Sequence, residues 1–211
     1  MNIYSHPGNP DAPANAVLLL HGYGADGQDL LGLADAWQDE LPNTAFISCD
    51  APLQCEMGFG YQWFSLRDWS QPAMAAGARD ASAQLRQVVD AVLARYNLTP
   101  DKLVLAGFSQ GTMMSLYTGL RMDTLPAGIL GYSGALLSAE TLPSAQDGKP
   151  PICLIHGEAD TIVPVAASID ASRQLKELGY DVSLETIPML PHGIDQRGLV
   201  SGLAFLQRVL G

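Results

Sequence analysis

Lys102-Leu103-Val104-Leu105-Ala106-Gly107-Phe108-Ser109-Gln110-Gly111-Thr112-Met113-Met114-Ser115-Leu116 decides how this chain folds. Residues 102–108 begin with an aliphatic run of strand length, and residues 110–121 read as a helix. Between them stands Gly107-Phe108-Ser109-Gln110-Gly111, a G-x-S-x-G pattern in a strand–turn–helix setting. The need for this spacing is steric. A serine on so tight a turn is strained, and flanking glycines let neighbouring backbone approach where a Cβ would collide. The helix that follows directs partial positive charge and free N–H groups back at the serine. A glycine turn with no chemical role would look the same on these five residues alone, so the neighbouring segments have to decide.

Outward from this turn, strands and helices alternate. Strands are expected at residues 16–20, 44–48, 102–108, 129–132, 152–156 and 181–187, and helices at 28–41, 72–96, 110–121, 164–178 and 195–210. In the longest helix Leu85, Val88, Val89, Val92, Leu93 and Tyr96 recur at helical spacing until Asn97 and Pro100 stop it. Gly179 closes the next, and the last carries Leu199, Leu203, Leu206 and Leu210 on one face. Residues 50–71 read as irregular and rich in aromatics. Aliphatic strands alternating with helices imply an α/β fold, a mostly parallel central sheet with helices on both faces. The length of 211 residues suits one domain spanning 1–211. In such sheets an active site gathers beyond the carboxyl ends of the strands. That rule selects residues 21–24, Asp50, Ser109, Ser133, residues 158–160 and the loop around His192.

Three of these loops carry complementary chemistry. His21-Gly22-Tyr23-Gly24 resembles the H-G-x-G oxyanion motif of esterases, which makes the Tyr23 and Gln110 backbone N–H groups the expected oxyanion donors; the alternative is a tight turn over a packed His21. Asp160, in His156-Gly157-Glu158-Ala159-Asp160, is placed to accept the Nδ1–H of a histidine and fix its tautomer. Glu158 is the rival acid, and either carboxylate could instead be a loop charge or a helix cap. His192, in Pro191-His192-Gly193, is the only histidine after Asp160. A lone loop histidine is usually just exposed, but Ser109, Asp160 and His192 follow in the order nucleophile, acid, base that an α/β-hydrolase elbow requires. That order also sets His21 aside as the base.

Composition narrows the field. The net charge is −11, and 11 Lys plus Arg spread along the chain form no basic face for nucleic acid. The same charge opposes adsorption to anionic membranes, and its plain reading is solubility. No stretch approaches the roughly 18 apolar residues of a membrane helix, so stable membrane insertion is not expected. The first residues show neither a basic n-region nor an apolar h-region, and a cytoplasmic location is the expectation. Cys49, Cys55 and Cys153 have no metal-ligand spacing and fit reduced thiols, with a Cys49–Cys55 disulfide as the alternative and Cys153 read as core. No metal or cofactor is expected. Nothing in the sequence decides for or against a homodimer.

Leu20-His21-Gly22-Tyr23-Gly24-Ala25-Asp26, Gly107-Phe108-Ser109-Gln110-Gly111, residues 156–164, His192-Gly193-Ile194 and Trp63-Phe64 together resemble the phospholipase/carboxylesterase family of α/β hydrolases. That family includes bacterial carboxylesterases and acyl-protein thioesterases. The resemblance spans nearly the whole chain. It implies a compact hydrolase with little or no cap, a nucleophile at Ser109, an acid at Asp160, a base at His192 and oxyanion donors at Tyr23 and Gln110. Three positions depart from the family pattern: Ser65 where Asp is common, Pro191 where Gly is common, and Tyr23 where Leu is common. None is a triad side chain, so they bear on substrate preference.

The expected reaction is acyl transfer through a covalent acyl-enzyme, with a small-molecule ester as substrate. Its rate should rise with pH where an imidazole loses its proton, about 6 to 7. Short to medium acyl esters are the first expectation, and thioesters or lysophospholipids the nearest alternative. A non-catalytic module that kept the fold to bind a ligand is the alternative of another class. Residues 53–74, with Trp63 and Phe64 foremost, are expected to wall the acyl pocket, or else to cover one end of the sheet. Ile162, Val163 and Ile194, beside the acid and base, are expected to join that wall.

Overall fold

In a computed structural model that describes residues 1–142 and 148–211, seven strands form one sheet in the order β1-β3-β2-β6-β7-β8-β9. β2 (Asn15–Leu20), β3 (Thr44–Cys49), β6 (Leu103–Phe108), β7 (Gly128–Tyr132), β8 (Ile152–Gly157) and β9 (Val182–Ile187) run parallel to their neighbours. β1 (Ile3–Ser5), which the sequence does not announce, adds antiparallel to β3 at one edge. The chain is an α/β hydrolase in architecture: a mostly parallel sheet with helices packed on it.

The aliphatic runs are explained by burial on both faces. Leu18 and Leu20 of β2 point into a core shared with Leu85, Val89 and Val92, while Val17 and Leu19 point into a second core with Trp37, Phe205 and Leu206. A strand's side chains alternate between faces, so a strand covered on both sides has no polar position to spare. Each fully buried Leu or Ile contributes roughly 1.5–3 kcal/mol relative to exposure. α2 (Gln71–Tyr96) and α3 (Gln110–Gly119) pack over the first core, and α5 (Gln196–Leu210) over the second. The Ser70 side chain caps α2 by accepting from the Ala73 N–H, and Asn97 ends it at φ 52. α4 (Ala166–Glu177) ends before Gly179, at φ 81, and the Tyr180 N–H bonds back to the Leu175 carbonyl.

Two segments differ from expectation. Residues 28–41 form no continuous helix but a 3-10 turn, Asp29–Gly32, followed by five-residue α1 (Leu33–Trp37). Gly32 interrupts the run, and the side chains that matter, Leu30, Ala34 and Trp37, still reach the core. Residues 50–71, read as irregular, contain a short ribbon of β4 (Leu53–Gln54) and β5 (Tyr61–Gln62). Cys49, Cys55 and Cys153 are buried free thiols, so Cys49 and Cys55 are not joined.

Candidate active site

Ser109 lies between β6 and α3 at φ 55 and ψ −117. Such a backbone costs a non-glycine residue about 1–3 kcal/mol and persists only when its surroundings impose it. Here the Ser109 N–H donates to the Tyr132 carbonyl at 2.8 Å, and the Thr112 N–H donates to the Ser109 carbonyl at 3.0 Å. Thr112 Oγ1 lies 2.7 Å from the carbonyls of both Gly107 and Tyr132, tying the two parallel strands to the turn. A Cβ on Gly107 would overlap the backbone of Gly111, and a Cβ on Gly111 would overlap the Leu20 carbonyl at the end of β2. The two glycines of the motif therefore let three backbone segments close on one serine.

Asp160 and His192 meet beside this turn. Asp160 follows β8, and its side chain is fully buried. Its Oδ1 accepts the N–H groups of Ile162 and Val163 at 2.9 Å each. Its Oδ2 accepts from His192 Nδ1 at 2.6 Å. Burial alone would raise the Asp160 carboxyl, but the His192 hydrogen bond and the two backbone N–H groups outweigh it and hold the acid below its ordinary value. An ionised carboxylate only accepts, so the proton sits on His192 Nδ1 and Nε2 keeps its lone pair. Glu158, the rival acid, instead accepts from Thr186 Oγ1 at 2.8 Å on the exposed rim.

The loop after β2 is built differently. His21 is wholly buried. Its Nε2 accepts the Ala51 N–H at 2.9 Å, which leaves Nδ1–H to donate to the Gly22 carbonyl at 2.6 Å. Burial pushes the His21 imidazole below its usual value, so it stays neutral and serves as a brace. The Trp63 indole N–H donates to the His21 carbonyl at 2.9 Å. The Gln110 side chain accepts the Trp63 N–H at 2.8 Å and donates to the Phe64 carbonyl at 2.9 Å. Trp63 and Phe64 are each 1% exposed and belong to the core under the sheet. They are absent from the cavity wall where they were expected; both faces of the Trp63-Phe64 backbone are used up in holding the turn.

A cavity of about 480 Å³ opens above the serine. Ser109, His192, Gly22 and Tyr23 form its polar end, with Asp29 at the margin. Ala25, Met57, Leu66, Trp69, Phe108 and Ile162 supply the apolar wall. Of the expected wall residues, Ile162 is in place, whereas Val163 is buried in the core and Ile194 packs with the α5 cluster. Met57 and Trp69 come from the aromatic-rich loop as a whole. Phe108, the variable residue of the motif, stacks on His192 with ring centroids 4.7 Å apart. Its position beside the serine was the available signal for it; Asp29 and Ala25 had none. Among the described residues no group of three or more His, Cys, Asp and Glu is placed to hold a metal ion. Among the same residues no helix is long and apolar enough to cross a membrane.

A serine elbow, an acid–histidine pair and an apolar cavity at the carboxyl ends of a parallel sheet define the class: an α/β hydrolase. Residues 7–210 match the family described as phospholipase/carboxylesterase. The chain is 31% identical over 217 residues to acyl-protein thioesterase 1 of Schizosaccharomyces pombe, covering 96% of this chain and 95% of that one. It is 28% identical over 201 residues to esterase YpfH of Escherichia coli, covering 94% and 85%. The crystal structure of esterase PE8 superposes with a TM-score of 0.91 at 39% identity, over 99% of this chain and 98% of that one. The chain therefore belongs to the phospholipase/carboxylesterase family, and it is an ester hydrolase.

Proposed function

We propose that this hydrolase works through Ser109 as nucleophile, His192 as general base and Asp160 as the acid that orients it. The observation that carries the reading is the 2.6 Å bond from His192 Nδ1 to Asp160 Oδ2 on the wall of the cavity that Ser109 also lines. His192 Nε2 takes the proton as Ser109 Oγ attacks the carbonyl carbon. The oxyanion is held by the N–H groups of Tyr23 and Gln110. Gln110 is the first residue of α3, so its N–H has no acceptor within the helix, and the helix N-terminus adds its partial positive charge. The tetrahedral intermediate collapses as the leaving oxygen takes the proton from His192. Water then repeats the sequence on the acyl-enzyme. One oxyanion donor is typically worth about 10²–10³ in rate.

The apolar wall and the cavity size support short to medium acyl esters as substrates. The likeness to a protein named acyl-protein thioesterase supports thioesters as the second reading. Both require the same serine. Hydrolysis of p-nitrophenyl esters from acetate to palmitate, with wild type beside Ser109→Ala, tests the assignment. Wild type should be active, with a peak at short or medium chains, and the variant should fall by about 10³-fold or more. Equal activity of the two proteins would remove Ser109 as nucleophile. Folded wild type inactive on every ester and thioester would favour a ligand-binding module.

A further inference from the structure

A second histidine stands behind the acid. His156, four residues before Asp160 on the same strand end, has no exposed side-chain surface. Its Nε2 lies 2.8 Å from the Val163 carbonyl and 3.2 Å from Asp160 Oδ2. A carbonyl oxygen only accepts, so Nε2 carries a proton and shares it between the two oxygens. On the far side of the ring, Nδ1 lies 2.7 Å from Ser168 Oγ, which is itself 3.1 Å from the Gly134 carbonyl. The imidazole is therefore gripped from α4 and aimed at the carboxylate.

The acceptor sites of Asp160 can be counted. Two oxygens offer about four lone-pair positions. Oδ1 takes the N–H groups of Ile162 and Val163, and Oδ2 takes His192 and His156. Every position is occupied. The two bonds on Oδ1 come from one short segment and leave the carboxylate free to rock about the Cβ–Cγ bond. The contact from His156 falls on the oxygen that His192 uses, and it removes that freedom. No water can substitute, because both side chains are sealed.

We propose that His156 is a positioning residue: its Nε2–H holds Asp160 from behind, so that Oδ2 presents a fixed lone pair to His192. The inference rests on the Ser109–His192–Asp160 reading above. Its effect passes through Asp160 alone and does not touch substrate, so it belongs to kcat and not to KM.

The test compares His156→Leu, which removes the donor, with His156→Gln, whose amide N–H can replace Nε2–H. Each is made in wild type and in Asp160→Asn. Turnover of the best p-nitrophenyl ester gives kcat and KM. The rate of Ser109 labelling by an organophosphonate, followed over hours, keeps slow variants measurable. His156→Leu should lower kcat and labelling by about 10- to 100-fold, the size of a lost hydrogen bond to a charged group, with KM within about twofold. His156→Gln should recover to within about threefold of wild type. In Asp160→Asn the leucine change should cost less than about twofold, because the group it acts on is already gone. If the leucine variant does not fold, His156→Asn, polar but too short to reach Asp160, takes its place with the same expected loss. Wild-type kcat in the folded leucine or asparagine variant overturns the proposal. So does a loss that persists undiminished in Asp160→Asn, or a folded glutamine variant with no recovery. If Ser109→Ala retains activity, the hydrolase mechanism itself fails; if Ser109→Ala is dead and His156→Leu matches wild type, only the role of His156 fails.

Discussion

Trp63-Phe64 and Met57 with Trp69 belong to the same aromatic-rich connection, yet they end in opposite environments. Trp63 and Phe64 are sealed in the core, and the backbone between them is pinned by both ends of the Gln110 amide. Met57 and Trp69 are more than half exposed and face the cavity. The pinned pair supports the serine turn from below, while the exposed pair meets whatever enters from above. Apolar character is common to all four. What separates them is where the neighbouring polar atoms find partners: a buried backbone must be paired, and the side chains beside it are dragged inside with it.

Trp63→Ala offers the hardest test of this division. A buried aromatic lost from a packed core costs about 3–5 kcal/mol, and here the His21 carbonyl also loses its donor. Urea unfolding should show that loss, which inverts the expectation from sequence that Trp63 sets chain-length preference; a stability within about 0.5 kcal/mol of wild type would put Trp63 back in the cavity wall. Next in size is Gln110→Leu, which keeps the backbone N–H but strands the Trp63 N–H and the Phe64 carbonyl. Its stability should fall by about 2–4 kcal/mol, since each buried orphan costs about 1–3.

Acid probes the same pinned region without a mutation. Burial holds the folded His21 below its ordinary value, so between the folded value and the unfolded value of about 6.5 the unfolded chain binds the extra proton. Stability should therefore fall as pH drops through about 6.5, and His21→Gln should flatten that slope in urea titrations at pH 7 and pH 5. Asp160 works at lower pH. Its folded value is depressed, so its contribution is complete above about 3.9 and is lost as pH falls through the folded value. The smallest effect belongs to the exposed side. Trp69→Ala should leave stability within about 0.5 kcal/mol and change the ratio of long- to short-chain ester hydrolysis by about threefold or more. An equal loss on every chain length would mean that Trp69 is not part of the acyl wall.

The fold was legible because its decisive segments are one-sided in meaning. Aliphatic runs such as residues 16–20 and 152–156 can only be strands covered on both faces, and Gly107 and Gly111 flank the serine for a reason that backbone overlap makes concrete. Asp160 and His192 were legible from chain order. Residues 28–41 were misread because Leu30, Ala34 and Trp37 keep helical spacing although Gly32 divides them into a 3-10 turn and a short helix. Val163 and Ile194 were misassigned because adjacency to a catalytic residue in sequence says nothing of side-chain direction: Ile162 points to the cavity and Val163, one residue on, to the core. The second contact on Asp160 was out of reach altogether, since His156 reads from sequence as the end of a buried strand. Ser65, the departure from the family pattern, hydrogen-bonds Glu56 and holds its carboxyl below the ordinary value, where a second carboxylate would repel it.

The overlap that a methyl group on Gly111 would make with the Leu20 carbonyl sets a fixed gauge between the serine turn and the loop that carries Tyr23. These two parts cannot part or slide without rebuilding the sheet beneath them. Adaptation to a new acyl group or leaving group is then left to the rim, to side chains such as Met57, Trp69 and Ile162 that bear no weight in the fold. The molecule thus separates what must stay still from what is free to vary, and one missing carbon atom marks the boundary.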